Sequence, residues 1–181
     1  SQKEIGATGD IEQAKTWAIK TAKSLKDIGI NVNLAPVADV GSNDKRSYST
    51  DANTVIDFVR AATKGYQQEN IIYSLKHFPG IGKGKVDSHI DSSSIDVVKE
   101  VLMTEDILPF KTIIDENEPN DYFILVSHLK YPALDEEYPA SLSSKIMTDL
   151  LRNELGYKGI IITDDMEMGA VAIIMILGQL V

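Results

Sequence analysis

Apolar positions recur along the chain with two periods, and the two alternate. Ile11, Ala14, Trp17, Ala18, Ala22, Leu25 and Ile28 return at the spacing that lines one face of an α-helix. Asp10 stands at the expected N-cap, Gln13 completes a capping-box pattern three residues later, and Gly29 marks the end. Residues 31–37 are instead rich in β-branched and aliphatic residues, broken by Pro36, which predicts a buried strand with Asp39 just beyond it. A second helix is expected from about Ala52 to Gln68, with Val55, Phe58, Val59, Ala62 and Tyr66 on one side. A short strand over residues 71–75 follows and runs directly into Lys76 and His77. The cycle repeats with a helical region over about 95–115, interrupted near Pro109, and a strand Tyr122–Val126 that leads to Ser127 and His128. A last helix over about 144–155, closed by Gly156, precedes a strand over 159–163 and then Asp164 and Asp165.

Helices alternating with short, near-continuously apolar strands predict parallel β-strands joined by right-handed helical crossovers, buried on both faces. The fold class expected is therefore α/β, and without a repeat or low-complexity linker the chain reads as one domain over residues 1–181. Each predicted strand ends in Asp, Lys, His or Ser. In parallel α/β folds that edge is where ligands bind and catalytic groups sit. Polar residues must begin somewhere once a buried strand ends, so one such position decides nothing; four strands ending alike point to a shared site.

Composition narrows the partners. The chain is 43% hydrophobic and 25% charged, which suits an ordinary globular core rather than a disordered or fibrous protein. A formal charge of -9 offers no basic surface to offset phosphate repulsion, which argues against nucleic acid and acidic lipid surfaces. There is no cysteine, hence no disulfide, thiolate ligand or cysteine nucleophile, and the redox compartment stays open. The opening SQKEIGATGD is charged where a secretion signal would be apolar.

Three groups of residues can carry chemistry. Lys76-His77-Phe78-Pro79-Gly80 leaves a strand for a glycine-rich loop, in which Gly80, Gly82 and Gly84 permit close backbone approach to a ligand. The plainer reading is a surface turn with solvated lysines, which suits Lys83 and Lys85 better than Lys76 or His77. Asp87-Ser88-His89 sets a carboxylate two residues from an imidazole, so that Asp can hold one ring nitrogen while the other moves a proton. Taken alone, those three residues are read more readily as a hydrophilic turn. A mononuclear metal site from His77, Asp87 and His89 is chemically available, but no HxH or HExxH spacing supports it, and neither metal nor cofactor is expected. Asp164-Asp165 supplies carboxylates at the catalytic edge, one of which could act as a nucleophile, or simply begin a loop and cap the next helix.

KHFPG followed by DSH, then SHLKYP, then PASLSSKIMTDLLRNELGYKGIIITDDMEM closely resembles the β-N-acetylhexosaminidases of glycoside hydrolase family 3. The resemblance extends upstream through LAPVADV, RSY and GATGD, from about Ile5 to Ala170. It implies a (β/α)8 TIM-type barrel and a retaining exo-glycosidase that releases terminal β-linked N-acetylglucosamine from cell-wall or chitin-type oligosaccharides through a covalent glycosyl–aspartate intermediate. It implies Asp164 as nucleophile, with Asp165 supporting the loop. His89 is implied as general acid/base with Asp87 as its dyad partner, in place of the second carboxylate of most retaining glycosidases. Lys76 and His77 are implied to bind sugar hydroxyls, with Asp39 of PVADV and Arg46 of RSY completing the clamp. His128 is given no catalytic role. Direct attack by Asp164 competes with attack by the substrate's own acetamide, and the resemblance favours the aspartate.

The sequence departs from the pattern in length and in detail. A (β/α)8 barrel takes about 250 residues, so the central half of the family barrel is expected here, with the opening strands and their DQEGG-like segment absent. A targeting segment would lie in that absent part, which leaves cytoplasmic and exported locations open. Residues 171–181 form an atypical apolar tail, shorter than the roughly 20 residues of a membrane span. Ile81 stands where relatives often have His, and Lys83 where Asp is common. The alternatives are an inactive or sugar-binding fragment, expected to self-associate through open sheet edges, and a phosphorylase that uses phosphate in place of water.

Overall fold

The computed structural model of the chain describes residues 1–41, 46–84 and 94–167. Its first element, α1 (Gln2–Ala7), is built from the charged opening segment and is held by a capping box between Ser1 and Glu4. In α2 (Ile11–Asp27) the Asp10 carboxylate accepts from Glu12 N, as an N-cap should. The expected box with Gln13 does not form. Asp10 N already donates to Thr8 Oγ1 (3.1 Å), so the Gln13 amide turns to the Asp10 carboxylate at 3.3 Å instead. Ala14, Ala18 and Ala22 are the buried stripe of α2, and they meet α3 (Ala52–Gln68) where Gly65 leaves no room for a Cβ beside Ala18.

Four strands form one parallel sheet in the order β1 (Val32–Asn33), β2 (Ile72–Phe78), β3 (Tyr122–Val126), β6 (Ile160–Thr163). Each regular step crosses by helix, which confirms the parallel α/β reading. The first strand is shorter than residues 31–37. Pro36 has no N–H to give a ladder, yet the segment still runs beside β2, with Ser74 N donating to Ala35 O (3.0 Å) and Ala38 N to Lys76 O (2.6 Å). The Gln2 side-chain amide completes this arrangement by pairing with both backbone groups of Val37 (3.0 and 2.9 Å).

The second strand is longer than expected and contains Lys76 and His77, because pairing with β3 continues to Phe78↔Val126. Between β2 and β3 the helical region begins at α4 (Lys99–Val101), widens to a π-type turn over Leu102–Asp106, and restarts as α5 (Leu108–Glu116) with Pro109 in its first turn. The break falls where the missing proline N–H requires it. A β4 (Lys130–Tyr131) and β5 (Asp135–Pro139) hairpin, absent from the hydropathy pattern, inserts after β3. It leads through a 3₁₀ turn (Ala140–Leu142) to α6 (Lys145–Glu154), a widely wound helix that buries Ile146, Leu150 and Leu151.

Tyr66, Tyr73, Tyr122 and Tyr157 stack in succession, with Tyr73 and Tyr122 rings 5.2 Å apart and directly opposed in the register of β2 and β3. Tyr157 Oη then donates to Tyr122 O (2.8 Å), which ties the approach of β6 to β3. Tyr73 and Tyr122 lie at the start of β2 and β3 and pack directly across their register. Among the described residues, no helix is long and apolar enough to cross a membrane.

Candidate active site

The parallel register carries the ends of separate strands to one edge. Lys76 pairs with Leu125, Phe78 with Val126 and Val126 with Thr163, so Asp164 emerges beside the residues that follow β3 and β2. Asp39 arrives at the same edge, since Val37 bridges to Lys76.

Asp39 is the hub. Its side chain is only 5% exposed; Oδ2 accepts from His77 Nδ1 (2.8 Å) and Oδ1 from the backbone N–H of His77 (3.1 Å) and Ile81 (3.0 Å). A carboxylate only accepts, so the His77 proton lies on Nδ1, and Nε2 is the ring atom left for a ligand. Among the described residues, His77 and Ile81 take three of the roughly four acceptor positions of the Asp39 carboxylate. The main chain of Asp39 is fixed too, because Ser47 Oγ donates to its carbonyl at 2.5 Å.

Lys76 is half-buried beside this pair. Burial holds its ammonium below the usual lysine range, and Arg46 adds to that, against the opposing pull of Asp164 and Asp39. The lysine thus sits in the fields of the nucleophile candidate, the hub and the arginine at once. Asp164 is half-buried, and its Oδ1 accepts from Asp165 N at 3.0 Å.

The root of the glycine-rich loop is tightly held. Gly80 adopts φ 118°, a conformation that favours glycine, and a Cβ there would meet Asp106. Gly82 lies against the backbone of Val40, where a side chain would not fit. Tyr131 Oη donates to Gly80 O (2.9 Å), and Lys83 Nζ bridges Glu105 Oε2 and Asp106 Oδ2, both at 2.6 Å. Lys83 is therefore no solvated turn lysine. Burial works to lower its pKa, but the two carboxylates prevail and raise it. Burial also pushes the fully buried Asp106 carboxyl above its ordinary range, against the pull of Lys83.

Of the residues singled out in the sequence, Asp39, His77, Lys76 and Asp164 converge on one edge, with Arg46 close enough to act on Lys76. Asp87 and His89 lie outside the described residues, as does the tail over 171–181. Tyr131, Glu105 and Asp106 escaped sequence reasoning because their partners lie tens of residues away. Among the described residues no cluster of His, Asp and Glu could hold a metal ion.

A parallel sheet with helical crossovers, at one edge of which a lysine, a histidine–aspartate pair and a further aspartate gather, is an α/β arrangement consistent with a TIM-type barrel domain. The chain belongs to the family described as the glycosyl hydrolase family 3 N terminal domain, whose model matches residues 1–179. It is 38% identical over 189 residues to beta-hexosaminidase A of Pseudoalteromonas piscicida, covering 93% of this chain and 31% of that protein. A glycoside hydrolase family 3 beta-N-acetylglucosaminidase from Paenibacillus sp. str. FPU-7 superimposes with TM-score 0.89 and 33% identity, covering 95% of this chain and 34% of that one. The beta-N-acetylglucosaminidase from Thermotoga maritima gives TM-score 0.82 and 33% identity over 90% of this chain and 34% of its own. The chain thus spans about a third of the length of these relatives.

Proposed function

We propose that the chain carries the catalytic site of a retaining exo-glycosidase that releases terminal β-linked N-acetylglucosamine from cell-wall or chitin-type oligosaccharides. The observation that carries this reading is the convergence of Lys76, Asp164 and the hydrogen-bonded Asp39–His77 pair on one edge of the sheet. Cationic and hydrogen-bonding groups grip sugar hydroxyls while a carboxylate stands within reach of the anomeric carbon. The names of the relatives, β-hexosaminidase and β-N-acetylglucosaminidase, support the N-acetylhexosamine.

In this mechanism an Asp164 oxygen bonds to the anomeric carbon as the bond to the leaving oxygen breaks. His89, tuned by Asp87, gives the leaving oxygen its proton. The same imidazole then takes a proton from water, whose oxygen displaces Asp164 and restores the original anomeric configuration. Asp39, His77, Lys76 and Arg46 hold the sugar through both steps.

The test is hydrolysis of an aryl N-acetyl-β-glucosaminide by the chain and by its Asp164→Ala and His89→Ala variants, with products resolved by NMR. Free β-configured sugar as first product, lost in both variants, is the expected outcome. Sugar 1-phosphate formed on adding phosphate would identify a phosphorylase, whereas binding without turnover would identify a sugar-binding fragment. That last reading draws on the sheet itself, whose four described strands leave β1 and β6 as edges, and it predicts self-association in solution.

The lysine predicts a pH dependence. The protonated form is lost as pH rises through the lowered pKa, so the ammonium's hold on the sugar weakens before an ordinary lysine would titrate at 10.5. KM is expected to climb on the alkaline side while that of Lys76→Met stays high and flat. A parent KM that stays as flat as that of Lys76→Met across the alkaline range would remove Lys76 from the sugar clamp.

A further inference from the structure

His128 is a buried titratable group that the mechanism above does not use. It is 6% exposed and both ring nitrogens are engaged: Nδ1 with Ser141 Oγ at 2.7 Å, and Nε2 with the backbone carbonyl of Asp165 at 3.0 Å. A carbonyl oxygen only accepts, so Nε2 carries a proton, and in the neutral ring Nδ1 accepts from the Ser141 hydroxyl. The serine is itself fixed, since it is 4% exposed and its N–H donates to Ser127 O at 3.0 Å. The imidazole therefore has one tautomer and one orientation.

What it holds is the residue after Asp164. Asp165 is anchored on both sides: its carbonyl accepts from His128, and its N–H donates to Asp164 Oδ1 at 3.0 Å. The second hydrogen bond occupies one oxygen of the Asp164 carboxylate and leaves Oδ2 for attack. We propose that His128, oriented by Ser141, is a positioning residue that sets the aim of the Asp164 carboxylate by clamping the Asp165 carbonyl. The proposal rests on Asp164 being the nucleophile. The strand register alone brings β6 to β3, but it ends at Thr163, one residue short of Asp164. Beyond that point the loop needs its own anchor, and His128 supplies it from the segment that follows β3.

The chain is compared with His128→Ala, His128→Gln and Ser141→Ala in steady-state kinetics and in amide hydrogen exchange. A misplaced reacting group of about 1 Å costs on the order of 100-fold in rate. His128→Ala is accordingly expected to lower kcat by about 100-fold with KM within about threefold, since Lys76 and His77 stand on β2 and Asp39 on the segment beside it, away from the loop that His128 holds. Glutamine keeps an N–H donor near the position of Nε2, so His128→Gln should recover most of that loss. Ser141→Ala frees the ring without removing its donor and should give an intermediate loss; it also carries the test should His128→Ala fail to fold.

Exchange of the Asp165 amide is expected to quicken in His128→Ala and to stay slow in His128→Gln. An unchanged kcat, equal losses in alanine and glutamine variants, or unchanged Asp165 exchange in His128→Ala would each overturn the proposal. Failure of the parent chain to turn over substrate would count against the glycosidase reading alone, because the exchange measurement still decides whether His128 holds the loop.

Discussion

Asp164→Gly is expected to abolish turnover of an aryl N-acetyl-β-glucosaminide, with a loss of at least about 10⁴-fold in kcat, the scale on which enzymes lose rate when their nucleophile is removed. That loss equals about 5.5 kcal/mol of transition-state stabilisation. The neighbouring Asp165 is not placed to replace Asp164. Asp165 is exposed, and its carboxylate accepts from Glu167 N at 2.9 Å, which turns it into the loop. Azide supplied to the glycine variant should restore turnover and yield the α-glycosyl azide, since the small anion enters where the carboxylate stood. The alternative chemistry, attack by the substrate's acetamide, makes a different forecast. An activated 5-fluoro N-acetylglucosaminyl fluoride would then leave the parent chain unlabelled, whereas direct attack forms an ester on Asp164 that a peptide digest can locate.

Asp39→Ala should produce the second large effect, on folding as well as on binding. The substitution leaves the backbone N–H of His77 and of Ile81 and the Nδ1–H of His77 without their acceptor in a nearly dry place. Each buried donor stranded in this way costs about 1–3 kcal/mol, and removing one partner of a buried charge-assisted pair costs about 3–5 kcal/mol in all. For a chain of this size that corresponds to a fall in melting temperature of roughly 10 °C. Asp39→Asn separates binding from stability. Its carbonyl can still accept from the two backbone groups, while its amide N–H₂ now faces His77 and forces the ring proton from Nδ1 to Nε2. The asparagine variant is thus expected to melt within a few degrees of the parent but to bind sugar more weakly, because Nε2 has changed from acceptor to donor. Nitrogen NMR of the His77 ring reports the tautomer directly. A ring that keeps its Nδ1 proton in Asp39→Asn would contradict the account.

These outcomes also separate what could be read along the chain from what could not. The helices Ile11–Asp27 and Ala52–Gln68 were legible because an amphipathic face is a local, 3.6-residue property. The strands were legible as short apolar runs, and the parallel sheet followed from their alternation with helices. Strand limits were less so. Whether residues 31–37 or 76–78 belong to the ladder depends on Pro36 and on pairing with β3, and a partner strand is not a local property. The hairpin of β4 and β5 gave no signal, since DEEYP is a mostly polar, exposed run with Asp135 and Pro139 buried at its ends. Asp87 and His89, for which the resemblance alone implies an acid/base role, lie outside the described residues.

By itself, the sequence determined the class of the fold, the family, and the polar residue types that follow the strands. Only the tertiary structure decided how they are joined. Asp39 meets His77 across 38 positions, Tyr131 meets Gly80 across 51, and His128 meets Asp165 across 37. Hydrophobic periodicity comes from the helix or strand to which a residue belongs, and so it is written in its neighbours. A hydrogen bond between distant segments is created by the packing that brings them together, and it leaves no trace in the residues on either side.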